Sequence, residues 1–475
     1  MSYVRLAKRS YFRRFEDIGY VFNEISHNDI VLDECGAIFL SEIGREPRQL
    51  QAAAKSIASK FADANQEEVQ RDFCEFVSQL ETGGFITTGQ TLSELDEKEP
   101  VFSYSRVEST PLVSESLEAR QLPSSEVLNK HFWKHPRLFN MQIELTSYCN
   151  LRCVHCYLGD AHAAAWMSKD KVFDLLDQLN AMGTLEITFT SGEALSRPDL
   201  PDILRHARRN DLSLTLLTNN TLLTNTLLEE IKNTGVRLIQ ISVYSMKPEV
   251  HDAITRHPGS LKETVRNIEK LVAENVPVQI ACPVMKENLE SFSEVIEWGK
   301  NMRFRVKPDL MIMARTDFSK DNLGHRLNLD ESRKALKIII ASDEDYHRIL
   351  TLKDRTKEKR NPADPVCGVG TSTMCLAANG DFYPCPGFQM TLGNFNNSCV
   401  EDVWSNSKPL MELRKVKNSA YSKCLECQSL EYCHICMAKF YNESGGDIYK
   451  VSDHFCGVSH LNRELAQEQL TQQSR

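Results

Sequence analysis

The sequence predicts an α/β protein: a partial parallel barrel of six strand–helix units, (βα)6, with a winged-helix-like α+β module before it and a cysteine-rich extension after it. Three patterns predict this. Between residues 142 and 313, short β-prone runs alternate with helical ones, and such alternation implies a parallel sheet with helical crossovers. Before residue 90, three β-prone runs precede helical patterns. Beyond residue 366, nine cysteines fall between positions 367 and 456. The expected divisions are 1–90 for the module, 91–135 for a linker, 136–360 for the barrel and 361–475 for the extension.

Composition narrows the function classes. At 475 residues the chain exceeds one ordinary domain. Its hydrophobic share of 41% and charged share of 25% are those of a soluble globular protein. A net charge of −9 argues against a large nucleic-acid footprint. The basic start, MSYVRLAKRSYFRRF, lacks the apolar core of a signal peptide, and no window reaches the ~18 apolar residues of a membrane span. A cytoplasmic chain is expected, and there fifteen cysteines point to metal rather than disulfides.

In the module, strands are expected at SYFRRF (10–15), around Val21 and Phe22, and from Ile30 to Leu32. Val69, Phe73, Phe76, Val77 and Leu80 then share one helix face, which Gly83-Gly84 ends. A winged helix implies DNA binding, but the module's acidic balance argues against it. The polar run EKEPVFSYSRVESTPLVSESLEARQLPSS has no periodicity and reads as a linker that lets the module swing.

The barrel strands are expected at 142–146, 185–190, 213–218, 237–243, 278–282 and about 304–313. Between the first two lies a helix burying Val172, Leu175, Leu176 and Leu179, with Ser168 as N-cap and Gly183 just past its end. Reactive groups of parallel barrels gather at the C-terminal ends of the strands. CNLRCVHC (149–156) directly follows the first strand, and so lies at that end.

Cys149, Cys153 and Cys156 are spaced by three residues, then two. A 4Fe–4S cluster takes cysteine thiolates, and three thiolates leave one iron open, where a metal site does chemistry. Zinc is the competing reading, but it favours paired Cys-x2-Cys knuckles. The stretch resembles the Cys-x3-Cys-x-aromatic-Cys signature of the radical SAM superfamily, with His155 at the aromatic position beside the adenine. The resemblance implies S-adenosylmethionine (SAM) on the open iron, cleaved reductively to a 5′-deoxyadenosyl radical that abstracts hydrogen from substrate. TSGEAL then stands where the family has Gly-Gly-Glu: Ser191 replaces the first glycine, while Gly192 and Glu193 match. Glycine lets backbone approach a ligand, and Glu193 is expected to bond the SAM ammonium. Thr218 and Asn219 match positions near the ribose, and Ser242 a carboxylate contact. HDAITRHPGS resembles a further family stretch, in which Thr255 holds the place of a carboxylate-binding arginine and Arg256 is adjacent.

The spacing Cys367-x12-Gly380-x4-Cys385, then Cys424-x2-Cys427-x5-Cys433-x2-Cys436 and Cys456, resembles the SPASM extension, departing from it in x2 before Cys436. A zinc ribbon is the alternative for the Cys-x2-Cys pairs alone. The resemblance implies two auxiliary 4Fe–4S clusters, one on Cys367, Cys375, Cys385 and Cys436, the other on Cys424, Cys427, Cys433 and Cys456. Cys375 lies outside the seven-cysteine pattern; were it not a ligand, the first cluster could take a substrate thiolate. Fully ligated clusters would serve electron transfer. Cys35 and Cys74 read as core residues. Cys282 and Cys399 are the candidate hydrogen-atom donors should the reaction be an epimerisation.

Residues 1–90, through the run Asn28–Glu34 ending in DECG, resemble the peptide-recognition element of ribosomal-peptide maturases, related to the chaperone of pyrroloquinoline-quinone biosynthesis. That resemblance implies a leader peptide added as an extra strand to a sheet edge; a plain structural cap is the competing reading. Taken together, the resemblances imply a maturase of ribosomally made peptides (a RiPP maturase). It would install a crosslink, a cysteine thioether foremost, with electrons from a flavodoxin or ferredoxin and neither nucleic acid nor membrane as partner. Carbon–carbon crosslinking, epimerisation and formylglycine formation are the enzymatic alternatives, and an iron–sulfur regulator binding nucleic acid is the non-enzymatic one.

Overall fold

The computed structural model describes residues 2–61, 63–99, 123–158, 165–343, 346–348, 350 and 360–473. Its centre is a nine-stranded sheet in the order β12-β11-β10-β9-β8-β7-β13-β14-β15. Strands β7 (Asn140–Thr146), β8 (Glu186–Ser191), β9 (Ser213–Thr218), β10 (Leu238–Ser242), β11 (Val278–Pro283) and β12 (Arg305–Asp309) are parallel and follow chain order. They are the six expected units. Helices between them bury one face each against the sheet; Lys169–Ala181 buries Val172, Leu175, Leu176 and Leu179, and Ser168 caps it on the N–H of Lys171.

The extension is part of this sheet. β13 (Thr373–Leu376) pairs in parallel with β7, Thr373 opposite Asn140 and Leu376 opposite Ile143. It turns through Gly380, at φ +90°, into antiparallel β14 (Asp381–Tyr383), which pairs with β15 (Gly393–Asn394). The motif glycine of the extension is thus a hairpin residue in a conformation that suits glycine.

The N-terminal module holds two small sheets. β2 (Ser10–Phe15), β3 (Ile18–Asn23) and β4 (Asp29–Leu32) form an antiparallel meander, and β1 (Tyr3–Leu6) lies between β5 (Arg48–Gln49) and β6 (Ile86–Gly89). Val21 and Leu32 face the helices Glu34–Ser41, Leu50–Lys60 and Gln66–Thr82. Tyr11, Phe15, Tyr20 and Phe22 face the other way, against Leu128, Phe132 and Leu185.

The linker expectation is corrected. Leu92–Lys98 and Ser124–Lys134 are helices, while 100–122 lies outside the described residues. Thr91 caps the first through the N–H of Glu94, and Leu95 anchors it; Leu128 and Phe132, four apart, anchor the second. So few apolar anchors leave no visible period in a polar stretch.

Nor does the module swing in this structure. Glu24, buried, pairs with buried Arg9 at 3.4 Å and accepts from the Ser213 hydroxyl at 3.0 Å. Arg45 bonds Asp211 at 2.6 Å, Arg13 bonds the Asp211 carbonyl at 2.7 Å, and Arg208 bonds the Tyr11 hydroxyl. Asp211 and Ser213 stand where β9 begins, so the module is bolted to the end of the barrel opposite the cysteine loop.

Candidate active site

A cavity of about 500 Å³ opens at the C-terminal ends of the barrel strands. Cys149, Cys153 and Cys156 line it with His155, Tyr157, Ser191, Gly192, Thr218, Asn219, Ser242 and Arg256. The size suits a small-molecule cofactor.

The cysteine loop takes its shape from the ends of four other strands. The Gly192 N–H donates to the Thr146 carbonyl at 3.1 Å, and the Glu193 N–H to the Tyr148 carbonyl at 2.7 Å. After β9, the Asn219 amide reaches Asn150 Oδ1 at 3.0 Å and Cys149 Sγ at 3.9 Å. After β10, the Tyr244 hydroxyl reaches Cys153 Sγ at 3.8 Å. Beyond β12, the Thr316 N–H donates to the Tyr157 carbonyl at 2.9 Å. The fifth clamp is the HDAITRHPGS stretch. Asp252 accepts from the N–H groups of Gly259 and Leu261 and the hydroxyl of Ser260. That turn presents the carbonyls of Ile254 and Thr255 to the N–H groups of Val154 and Arg152, each at 3.0 Å.

The site fits an iron–sulfur cluster better than zinc. Burial pushes the thiols of Cys149 and Cys153 up to about 11 and about 12, so a cation must displace their protons. Zinc at 2.3 Å from each sulfur would draw thiolates to roughly 4 Å of one another. Among the described residues, the one trio of His, Cys, Asp and Glu ligand atoms within 4.8 Å is Glu16, Asp17 and His131. The sulfurs of Cys149, Cys153 and Cys156 do not all lie within that distance of one another. His155 supports a ligand beside the loop: the residue is half-buried on the cavity wall, desolvation lowers its pKa to about 4, and Nδ1 has no hydrogen-bond partner.

Two expected contacts differ in kind. Glu193 is fully buried beneath the wall. Its carboxylate accepts from Thr218 Oγ1 at 2.5 Å and from the N–H groups of Asn219 at 2.7 Å and Leu195 at 2.9 Å. It shapes the turn instead of reaching the cavity, because the end of β9 supplies donors first. Thr255 is likewise buried, bonded to Ser260 at 2.7 Å, while Arg256 faces the cavity. Ser191 and Gly192 explain their stretch: Ser191 sits at φ +93°, and a Cβ on Gly192 would stand 2.1 Å from the Tyr148 carbonyl oxygen.

The extension contributes Ala377, Ala378, Asn379, Tyr383 and Gln389 to the same cavity. Its other cysteines fall into two neighbourhoods. After burial, the thiol of Cys385 is raised by Cys436 and Cys367, and that of Cys456 by Cys433, Cys424 and Cys427. Cys375, buried in β13 beside Ala377 and Tyr383, interacts with Cys385. Cys282 and Cys399 are not brought to the cavity wall. Cys282 is buried against the Tyr244 carbonyl, and Cys399 is exposed at the start of the helix Val400–Asn406. Cys35 and Cys74, expected in the core, are exposed, lying on the outer faces of their helices. Sequence reasoning missed Glu144, Tyr157, Tyr244 and Arg315; for Tyr244 the signal was its place one residue past a predicted strand end.

Residues 143–299 match the Radical SAM superfamily, and residues 367–428 match SPASM, an iron–sulfur cluster-binding domain. The chain therefore carries a radical SAM domain followed by a SPASM domain, which imply SAM, a 4Fe–4S cluster and auxiliary iron–sulfur clusters. The AdoMet-dependent heme synthase of Methanosarcina barkeri is 26% identical over 321 residues, 64% of this chain and 92% of that protein. The antilisterial bacteriocin subtilosin biosynthesis protein AlbA of Bacillus subtilis is 26% identical over 322 residues, 65% of this chain and 69% of that protein. In fold, Streptococcus suis SuiB, solved bound to precursor peptide SuiA, covers 95% of this chain and 99% of its own with a TM-score of 0.62 at 16% identity. Among the described residues, no helix is long and apolar enough to cross a membrane.

Proposed function

We propose that this chain is a peptide maturase that crosslinks a ribosomally made precursor, a cysteine thioether being the foremost product and a carbon–carbon bond the next. The observation that carries the reading is one cavity walled by the cysteine loop on one side and the extension's hairpin on the other, inside a fold shared end to end with a peptide-bound enzyme. A cluster on Cys149, Cys153 and Cys156 with SAM would supply a 5′-deoxyadenosyl radical, the hydrogen-atom abstractor.

The chain's own residues would do the rest. The backbone at Ser191 and Gly192, the side chains of Thr218, Asn219, Ser242 and Arg256, and the ring of His155 would bind and orient SAM. Asn379, Gln389 and Gln240 offer carboxamides, each a donor and an acceptor, for a peptide backbone. Cys367, Cys375, Cys385 and Cys436 would hold one auxiliary cluster, and Cys424, Cys427, Cys433 and Cys456 the other, with a flavodoxin or ferredoxin as electron donor. The module would hold the leader. Epimerisation is disfavoured, because neither Cys282 nor Cys399 reaches the cavity wall.

The test is anaerobic incubation with SAM, reductant and the peptide encoded beside the gene. Release of 5′-deoxyadenosine with a product two hydrogens lighter supports the reading; no 5′-deoxyadenosine overturns it. Similarity to heme synthases favours a second reading, a step of heme synthesis, which a new Soret band from a porphyrin precursor would support.

A further inference from the structure

Among the described residues, Glu144 is the one carboxylate on the cavity wall. Three features of the chain put it there. The pairing of β7 with β8 slips between Glu144 and Thr146, an irregularity of the kind that re-aims a side chain. The Ser191 side chain, on a left-handed backbone that a non-glycine residue adopts at a cost, lies close enough to the carboxylate to favour its ionised form. The Ala378 backbone N–H, from the extension's hairpin, favours that form as well. Serine at the place of the family's first glycine therefore has a task a glycine could not perform.

Burial raises the Glu144 carboxyl to about 7. Tyr157 from the loop after β7, Tyr383 from β14 and Cys375 from β13 face its charge, and burial raises all three. Arg152, Arg256 and Arg315 line the same cavity, and His155, lowered to about 4, is a feeble base. A group that takes up a proton near neutral pH suits general-base work.

Resting on the crosslinking reading, we propose that Glu144, positioned by Ser191, is the catalytic proton acceptor of the bond-forming step. A peptide C–H bond loses its hydrogen atom, and the carbon left behind joins a heteroatom X, such as a cysteine sulfur. The X–H bond breaks as the C–X bond forms. Its proton passes to the Glu144 carboxylate, and the one electron left over passes to an acceptor of the iron–sulfur class. The open cavity returns the proton to water.

The experiment uses full-length enzyme reconstituted anaerobically, with SAM, reductant and the synthetic peptide encoded beside the gene. Glu144→Gln should lower product formed per 5′-deoxyadenosine released about 100-fold, with Glu144→Asp recovering part of it. Wild-type kcat should fall as pH drops through about 7. Ser191→Ala removes a group that favours the ionised form and should move that limb to higher pH. Infrared pH-difference spectra of resting enzyme should contain a protonated-carboxyl band that Glu144→Gln lacks. A wild-type product ratio in Glu144→Gln, or a limb unmoved by Ser191→Ala, overturns the proposal alone. Wild type that releases no 5′-deoxyadenosine overturns the maturase reading too. Should Glu144→Gln lose its clusters, the Ser191→Ala limb decides.

Discussion

The backbone of Gly192 passes so close to Tyr148 that any added Cβ would stand 2.1 Å from the Tyr148 carbonyl oxygen. The neighbour is backbone, which cannot step aside. Gly192→Ala should therefore push the cysteine loop off the ends of β7 and β8. The expected outcome is a loss of about 3 kcal/mol or more in stability, the upper range for overpacking, with reduced iron content. Thermal denaturation and iron analysis check this.

Ser191 carries a conformational cost in its left-handed backbone. Ser191→Ala and Ser191→Gly both remove the hydroxyl, but only glycine also removes the Cβ. The glycine variant should be the more stable of the two by about 1 kcal/mol, measured by denaturant unfolding of each.

The cysteine neighbourhoods predict separable losses. Cys153→Ala should abolish SAM cleavage and remove about four of about twelve irons per chain, each cubane holding four. Cys385→Ala and Cys427→Ala should each remove about four irons from different clusters, leaving 5′-deoxyadenosine release in the absence of peptide. Iron analysis with electron paramagnetic resonance of each variant checks the assignment.

Glu24 and Arg9 are a buried pair at the junction of module and barrel. Glu24→Ala leaves a guanidinium buried without its carboxylate, which costs about 3–5 kcal/mol. The module should then loosen first, seen as earlier proteolysis within residues 91–135 than in wild type. Replacing Arg9 and Glu24 together by leucines should recover most of the loss, because apolar pairs substitute well for buried ions.

Local signals made much of the barrel readable. Residues 213–218 were expected as a strand and form β9 with those bounds, since alternating β-prone residues between turn residues carry their own period. The cysteine loop was readable because its chemistry is fixed by spacing. What stayed hidden depends on distant partners. β13 joins β7 across more than two hundred residues, and no local pattern around Cys375 announces such a neighbour. Glu144 sits in a strand read correctly as QIELT, yet its aim depends on a slipped register and on the nearby Ser191 side chain and Ala378 N–H. Glu193 was matched by motif, and only the fold reveals that Thr218 and Asn219 claim it.

Bolting the module to the start of β9 turns the barrel into a ruler. β9 runs six residues, and at about 3.3 Å per residue the sheet is some 20 Å tall. If the module grips the precursor as proposed, a peptide that reacts at the far rim would have to span that height. Its gripped stretch and its reacting side chain need at least about six extended residues between them, and a tether trimmed below that length would go unprocessed however tightly it is held.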